Sequence, residues 1–392
     1  MSGNAVPFFS PRLFEEERDR ILGLVHEVGT APEQRFLLGA HTRALEDALS
    51  RELSDAHVVA CGSGTSALVM ALAALGVGRG DEVVVPALGC APLAAAPVAL
   101  GAVPVFADVD PVTLTMDPED AERRVTPRTR AVVPAHLFST MADMPRLREL
   151  TARHGVRLLE DSAVAQGAVL DGVPAGLWGD VGLYSFVQVK TFGMPGEGGV
   201  VVTRDAELAA RVRLSRNHGQ AEGERFRHRV VGHNSRFDEV QARVQLARLP
   251  GLAARLARRA QLVDRYDALL APLAERGVRT PPPGRDGRFG YVYTVLADDR
   301  EGLARALRED GVGCHVYYPR PLPRHAAFRP FAPEGARWPR AESAADRMLS
   351  LPLYPGLTDA ALGRVADAVR RFAERPATVA PTVSTTPEST HR

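Results

Sequence analysis

Tyr184-Ser185-Phe186-Val187-Gln188-Val189-Lys190, followed closely by Gly196-Glu197-Gly198-Gly199, is the stretch from which the rest of the chain can be read. A β-rich run ends and a glycine-rich loop begins, with a lysine at the junction. Lys190 is the only lysine in 392 residues; the other 47 basic side chains are arginine. The abundance of Ala, Arg, Gly and Pro has the look of a GC-rich genome, in which lysine drifts to arginine wherever charge alone is needed. Guanidinium cannot form a Schiff base, whereas a lysine amine can. Position and composition therefore both single out Lys190 as a reacting amine. A surface lysine that escaped the drift is the competing reading.

Working backwards, Val156-Arg157-Leu158-Leu159-Glu160 reads as a strand that delivers Asp161 at its end, some thirty residues before Lys190. In open α/β sheets ligands bind at that edge. A carboxylate there together with a Schiff-base lysine suits pyridoxal phosphate, whose ring nitrogen needs an acidic partner to act as an electron sink. By itself Asp161 reads equally well as a helix cap. Further back, Gly62-Ser63-Gly64-Thr65-Ser66-Ala67-Leu68 follows a strand and opens a helix. Free N–H groups and the helix dipole favour a phosphate at such a turn. Hydroxyls of Ser63, Thr65 and Ser66 add donors. The segment is neither a Walker A motif nor G-x-G-x-x-G, and a purely structural turn is the ordinary explanation for it alone.

Between these motifs, short β-rich runs alternate with helical ones from about residue 56. Apolar runs of this kind separated by helices predict an α/β fold with a mostly parallel sheet covered on both faces. Val83 to Ala107 is 25 residues without a charge, long enough to span a bilayer. Pro86, Pro92, Pro97 and Pro104 divide it into a buried strand, a helix and a second buried strand. After a long helical stretch over 237–273, broken at Pro250-Gly251, a smaller α+β unit is expected, with strands at 289–296 and 315–318. The predicted organisation is a large domain with the N-terminal segment over 1–250, a small C-terminal domain over 251–376, and a Thr-, Pro- and Ser-rich disordered tail over 377–392.

Composition excludes several classes. Hydrophobic residues at 45% and charged residues at 24% describe an ordinary globular protein, and the net charge of +1 gives no field to recruit nucleic acid or an anionic membrane. Cys61, Cys90 and Cys314 form no CxxC, so neither a disulfide scaffold nor a zinc ribbon is expected, and a reducing cytoplasm fits. Met1 to Glu16 lacks the pattern of a signal peptide. No helix-turn-helix or basic arm suggests DNA binding.

The phosphate-type turn, strand-end Asp, lysine after a strand and small C-terminal domain come in the order of a fold-type I pyridoxal phosphate enzyme. The chain resembles the DegT/DnrJ/StrS family of sugar aminotransferases over roughly residues 5 to 373. The carrying motifs are Gly62–Leu68, Gly80-Asp81-Glu82-Val83, Glu160-Asp161-Ser162-Ala163, Gly179-Asp180-Val181-Gly182, Ser185-Phe186 with Lys190, and Gly196–Gly199. Gly232-His233-Asn234-Ser235-Arg236 and the run from Leu351 to Thr358 complete them.

That resemblance implies roles. Lys190 would carry the cofactor and shuttle the substrate proton, and Asp161 would pair with the pyridinium. Gly64, Thr65, Ser66 and Ser185 would hold the phosphate. Asn234 would reach the phosphate of a neighbouring subunit, which implies a homodimer with shared sites. Three positions depart from the family pattern. Cys90 stands where an aromatic ring often stacks on the cofactor, so that contact is either absent or made by the Cys90 sulfur; Val164 stands where a polar residue is usual (Gln166 lies close), and Pro323 where a histidine ends Y-P-x-P-L-H, with His325 following. The loop from Lys190 to Gly196 is also one residue longer. The implied activity is transfer of an amino group from glutamate or glutamine to a keto sugar, a nucleotide-linked keto-deoxysugar first and an inosose-type keto-cyclitol second, in amino-sugar or antibiotic biosynthesis. A same-family dehydratase is disfavoured, because those enzymes replace the lysine with histidine. A non-catalytic binding or regulatory protein on the same scaffold is the rival of another class.

Overall fold

The computed structural model describes residues 5–10, 12 and 14–375. The tail expected to be disordered therefore lies outside the described residues. The strands are β1 (His57–Cys61), β2 (Glu82–Pro86), β3 (Val103–Ala107), β4 (Thr129–Val132), β5 (Arg157–Asp161), a small hairpin of β6 (Val169–Leu170) and β7 (Val173–Pro174), β8 (Val181–Ser185), β9 (Gly199–Thr203), β10 (Val278–Arg279), β11 (Tyr293–Ala297) and β12 (Met348–Leu351). The helices are α1 (Arg18–Gly29), α2 (Ala40–Glu52), α3 (Gly64–Ala74), α4 (Pro92–Ala99), α5 (Pro118–Arg123), α6 (Met144–His154), α7 (Ala206–Arg216), α8 (Glu239–Arg248), α9 (Leu252–Leu270), α10 (Arg300–Glu309), α11 (Pro339–Arg347) and α12 (Asp359–Ala373).

Seven strands form the main sheet in the order β1-β9-β8-β5-β4-β2-β3. β3, β2, β4, β5 and β8 pair parallel, while β9 runs antiparallel to both β8 and β1. β2, β8 and β9 are buried at every position. Strands covered on both faces have no polar side to present, which is why they read as unbroken apolar runs. The charge-free stretch resolves into β2, α4 and β3 as expected, and no helix among the described residues is long and apolar enough to cross a membrane.

Strand direction gathers the C-terminal ends of β1, β2, β5 and β8 along one edge. The start of β9 joins them, because Gly199 pairs with both Cys61 and Ser185. The approach is close. A Cβ on Gly199 would lie 2.7 Å from the Tyr184 carbonyl oxygen and 3.0 Å from the Gly64 nitrogen, and a Cβ on Gly64 would lie 2.8 Å from that of Ser185. Glycine at 64 and 199 thus lets the first turn of α3 sit directly against Ser185.

The small unit has an antiparallel sheet in the order β10-β11-β12, with α9, α10 and α12 packed on it. We propose the domain boundary at 250/251, in the break of 249–251 between α8 and α9. Val6 joins this second core through a parallel bridge to Val312. In the other direction, Trp338 lies fully buried against the edge of the large sheet, donating its Nε1 hydrogen to the Phe106 carbonyl at 2.9 Å.

Two expected strands differ. Of 289–296 only the part from Tyr293 pairs. Phe289, Tyr291 and Val292 are buried instead against the core that contains Met141 and Val164, so their apolar character serves an interface between units. Over 315–318, His315 alone bridges, to Ser350, while Val316, Tyr317 and Tyr318 pack on the core of the large domain.

Candidate active site

The first turn of α3 is capped from within. Ser63 accepts a hydrogen bond at Oγ from the Ser66 N–H (3.1 Å), and Ser66 Oγ accepts from the Ser63 N–H (3.1 Å), a reciprocal capping box. Ser66 Oγ also lies 2.7 Å from Ser235 Oγ, which in turn accepts from the Gly62 N–H at 3.0 Å. Both the N–H and the hydroxyl of Ser66 are thus committed inside the chain. The N–H groups of Gly64 and Thr65 find no acceptor among the described residues, Thr65 is exposed, and the side chain of Ser185 lies against Gly64. Two free N–H groups at a helix start, flanked by two hydroxyls, form an anion cup.

Lys190 sits on a turn after β8, its N–H donating to the Val187 carbonyl at 2.9 Å, and its Nζ lies 5.1 Å from the centre of the Tyr291 ring. Asp161 is buried at the end of β5. One carboxylate oxygen accepts from the Ala163 N–H at 3.0 Å, and the other has no hydrogen-bond partner among the described residues. Burial pushes the Asp161 carboxyl above the usual carboxylate range, against the lowering effects of the Ala163 N–H, Lys190 and His136. Cys90 belongs to the same cluster: burial, reinforced by the Asp161 charge, pushes its thiol up to about 12, while Lys190 opposes the rise. Lys190, Asp161 and Cys90, far apart in sequence, therefore share one electrostatic environment, adjoining the α3 cup through the β5–β8 pairing.

Asn234 is exposed beside this edge, and its Oδ1 accepts from Arg236 Nε at 3.2 Å. Its neighbour Ser235 is tied to α3, but no contact joins the Asn234 amide to Gly64, Thr65 or Ser185 of its own chain among the described residues. The loop that carries Asn234 also exposes Phe226 and Val231 (75% and 96%).

The departures have structural outcomes. Val164 is buried, its carbonyl accepting from Thr191 Oγ1 at 3.2 Å. Gln166 is buried with its Oε1 unpaired among the described residues. Pro323 lies buried in a short turn, whereas His325 is exposed and contacts the Arg320 carbonyl.

Sequence reasoning missed two features. One is an aromatic wall of Tyr291, Tyr317 and Tyr318, extended by Phe8 and Phe138 at ring-centre distances of 6.1 and 6.3 Å from Tyr317 and Tyr318. The other underpins Asp161. Glu160, fully buried, accepts from the N–H groups of Gly176 (2.8 Å), Trp178 and Gly179 (2.8 Å), and contacts His136 Nε2 at 3.2 Å. His136 Nδ1 accepts from the Ala142 N–H at 3.1 Å, so its Nε2 carries the hydrogen toward Glu160. The His136 main-chain N–H also holds the Asp161 carbonyl at 3.0 Å. The adjacent acidic pair Glu160-Asp161 was the available signal: in a strand, neighbours face opposite sides, so only one of the two belongs to the ligand face.

Pyridoxal phosphate fits the arrangement. The anion cup matches its phosphate, the unpaired oxygen of a buried carboxylate matches a ring N–H⁺, and the single lysine lies in the same cleft. The sequence profile of the DegT/DnrJ/EryC1/StrS aminotransferase family matches residues 17–370. The chain is 38% identical over 368 residues to the UDP-N-acetyl-3-dehydro-alpha-D-glucosamine 3-aminotransferase of Acidithiobacillus ferrooxidans, covering 94% of this chain and 98% of the relative. It is also 38% identical over 374 residues to the dTDP-3-amino-3,4,6-trideoxy-alpha-D-glucose transaminase of Streptomyces venezuelae, covering 94% and 97%. The crystal structure of S. venezuelae DesV in complex with a ketimine intermediate superimposes with a TM-score of 0.90, at 38% identity over 95% of this chain and 99% of that one. With the geometry and these likenesses together, the chain belongs to the DegT/DnrJ/EryC1/StrS family and is a pyridoxal phosphate-dependent aminotransferase.

Proposed function

We propose that this enzyme transfers the amino group of glutamate or glutamine to a keto carbon of a nucleotide-linked sugar. The observation that carries the reading is the meeting of the only lysine with a buried, half-unpaired Asp161 beside a helix-start anion cup. The two relatives named above act, by their names, on UDP- and dTDP-linked sugars, which supports that substrate class.

When bound, the cofactor supplies an electron sink for the carbanion left when a carbon loses its proton. The protein's own groups do the rest. Gly64 and Thr65 offer N–H groups to the phosphate, and Ser185 adds a hydroxyl. Ser66, held by Ser63 and Ser235, builds the cup. Asp161 keeps the ring nitrogen protonated. Lys190 would hold the cofactor and move the proton at the substrate carbon. Burial leaves the Cys90 thiol neutral, so it would add no charge beside the cofactor. Asn234 completes the cup of a second copy across a two-fold axis, with the apolar Phe226 and Val231 of the same loop packing in that interface.

Borohydride reduction of the holoprotein, followed by peptide mapping, is expected to place a pyridoxyl phosphate group on Lys190. A cofactor-bearing sample whose Lys190 is unmodified would overturn the assignment. Assay with UDP- and dTDP-keto sugars and with inososes, against both donors, reads the substrate. Turnover of inososes alone would replace the nucleotide-sugar reading by the keto-cyclitol one.

A further inference from the structure

A cavity of about 490 Å³ opens beside the Lys190 loop, between the N-terminal segment, the α8–α9 turn and the Tyr354-Pro355-Gly356 turn. It is separate from the anion cup, since none of Gly64, Thr65 or Ser185 lines it. Its lining is cationic. Lys190, Arg12, Arg248, Arg255 and Arg259 contribute, and Glu17 is the carboxylate among the described lining residues.

Glu17 satisfies only one of these cations, accepting from Arg248 Nε at 2.9 Å. Arg259 is 7% exposed, with Nη1 given to the Gly290 and Leu353 carbonyls at 2.8 and 3.1 Å. Arg255 donates from Nη2 to the Arg248 carbonyl at 2.8 Å. The Nε hydrogens of both Arg255 and Arg259 are buried without an acceptor among the described residues. Burial holds Arg255 below the usual guanidinium range, with the Arg248 charge adding to the effect, and pushes Arg259 down to about 10. Buried cations normally come with an anion. Among the described residues these guanidinium groups crowd one another with a single carboxylate between them, so their charge is not balanced there.

We infer that this cavity binds a carboxylate of the amino donor beside Lys190, and that Arg255 supplies the open guanidinium edge that grips it. The planar fork of arginine matches a carboxylate in geometry as well as charge. The donor is the substrate that must bring carboxylates to the lysine, whereas the phosphate of the cofactor has its own cup at α3. Arg259, fixed by carbonyls from two segments, sets the field of the site, and Arg255, held by one carbonyl, is the group with bonding capacity to spare. The inference rests on Lys190 being the reacting amine.

The test titrates holoprotein with glutarate, a dicarboxylate without an amine, by calorimetry, for the parent, Arg255→Gln and Arg255→Lys. Glutarate binding is expected to weaken at least tenfold in the Gln variant and to recover in part in the Lys variant. In the first half-reaction, the L-glutamate concentration giving half-maximal loss of cofactor absorbance is expected to rise by a similar factor. The limiting rate and the KM for the keto sugar stay within about twofold. Unchanged glutarate affinity in an Arg255→Gln protein with parental cofactor absorbance and melting temperature would overturn the inference. So would loss of inorganic pyrophosphate binding in place of glutarate binding, which would assign the cavity to a nucleotide. A protein that fails to carry cofactor on Lys190 refutes the functional reading instead, and the glutarate titration still reports on the cavity by itself.

Discussion

At the residue scale, Asp161 is held in conflict between burial and charge. Its affinity for a proton is raised in the fold, so the apo-protein bears no penalty at low pH, where folded and unfolded carboxyls are both protonated. The penalty grows as pH rises through the raised value. Asp161→Asn apo-protein is accordingly expected to melt above the parent at pH 8, with the difference closing toward pH 4, as scanning calorimetry would show. In the holoenzyme the same change is expected to slow proton abstraction from the amino donor by orders of magnitude, because a neutral amide cannot balance a pyridinium. An Asp161 that served only as a helix cap would tolerate Asn with little effect on rate. Cys90 gives a second test. With its thiol pushed up to about 12, less than about one part in a thousand is thiolate at pH 8. Alkylation of Cys90 in the native protein is expected to be far slower than that of a free thiol and to show no inflection near pH 8.5. Rapid labelling there would mean that the thiol is open and activated.

At the element scale, the start of α3 depends on a few hydroxyls. Replacing Ser63 with alanine removes the acceptor for the Ser66 N–H and half of the reciprocal pair. A cost of about 1 kcal/mol is expected for apo-protein unfolding in denaturant. If the frayed turn also loosens the phosphate cup by that amount, cofactor affinity falls about fivefold. The same scale explains where the sequence misled. The apolar runs that became β1, β2, β8 and β9 carry helices between them, and their strand character could be read directly. The run at 289–292 has the same composition but is buried by contact with the other unit, which a one-dimensional pattern cannot separate from pairing. Tyr317 and Tyr318 illustrate the converse: their placement against the large core comes from an interface, and their spacing holds no sign of it.

At the scale of the whole molecule, the parts of the site come from distant stretches of chain, and one part is expected from a second chain. Asn234 is exposed, with its amide engaged by Arg236 rather than by its own α3. Co-expression of a Lys190→Ala chain with an Asn234→Ala chain is expected to give mixed dimers with about half the activity of the parent dimer, since one of two sites carries both lesions and the other neither. Purified mixed dimers without activity would show that the asparagine serves its own chain. Chain termini also matter at this scale. Val6 packs into the small core, and Phe9, Ser10, Arg12, Phe14 and Glu17 line the cationic cavity beside Lys190, so both units and the N-terminal segment meet around one amine.

The sequence by itself determined the sheet class and pointed to the candidate anion cup, lysine and carboxylate, because each is a local matter: strand character, turn chemistry and the identity of a single amine are written in consecutive residues. It also singled out Asp161 at the end of its strand, but alternation along the strand says only that Glu160 faces the other way, not what receives it. Tertiary structure decided that. It turned Glu160 toward three main-chain N–H groups and His136, and left Asp161 an unpaired oxygen. It likewise committed Ser66 to Ser63 and Ser235, raised the tyrosine wall, and crowded Arg248, Arg255 and Arg259 around one carboxylate. Burial and charge depend on which segments meet, and those meetings between residues tens to hundreds of positions apart have no signature in composition or spacing.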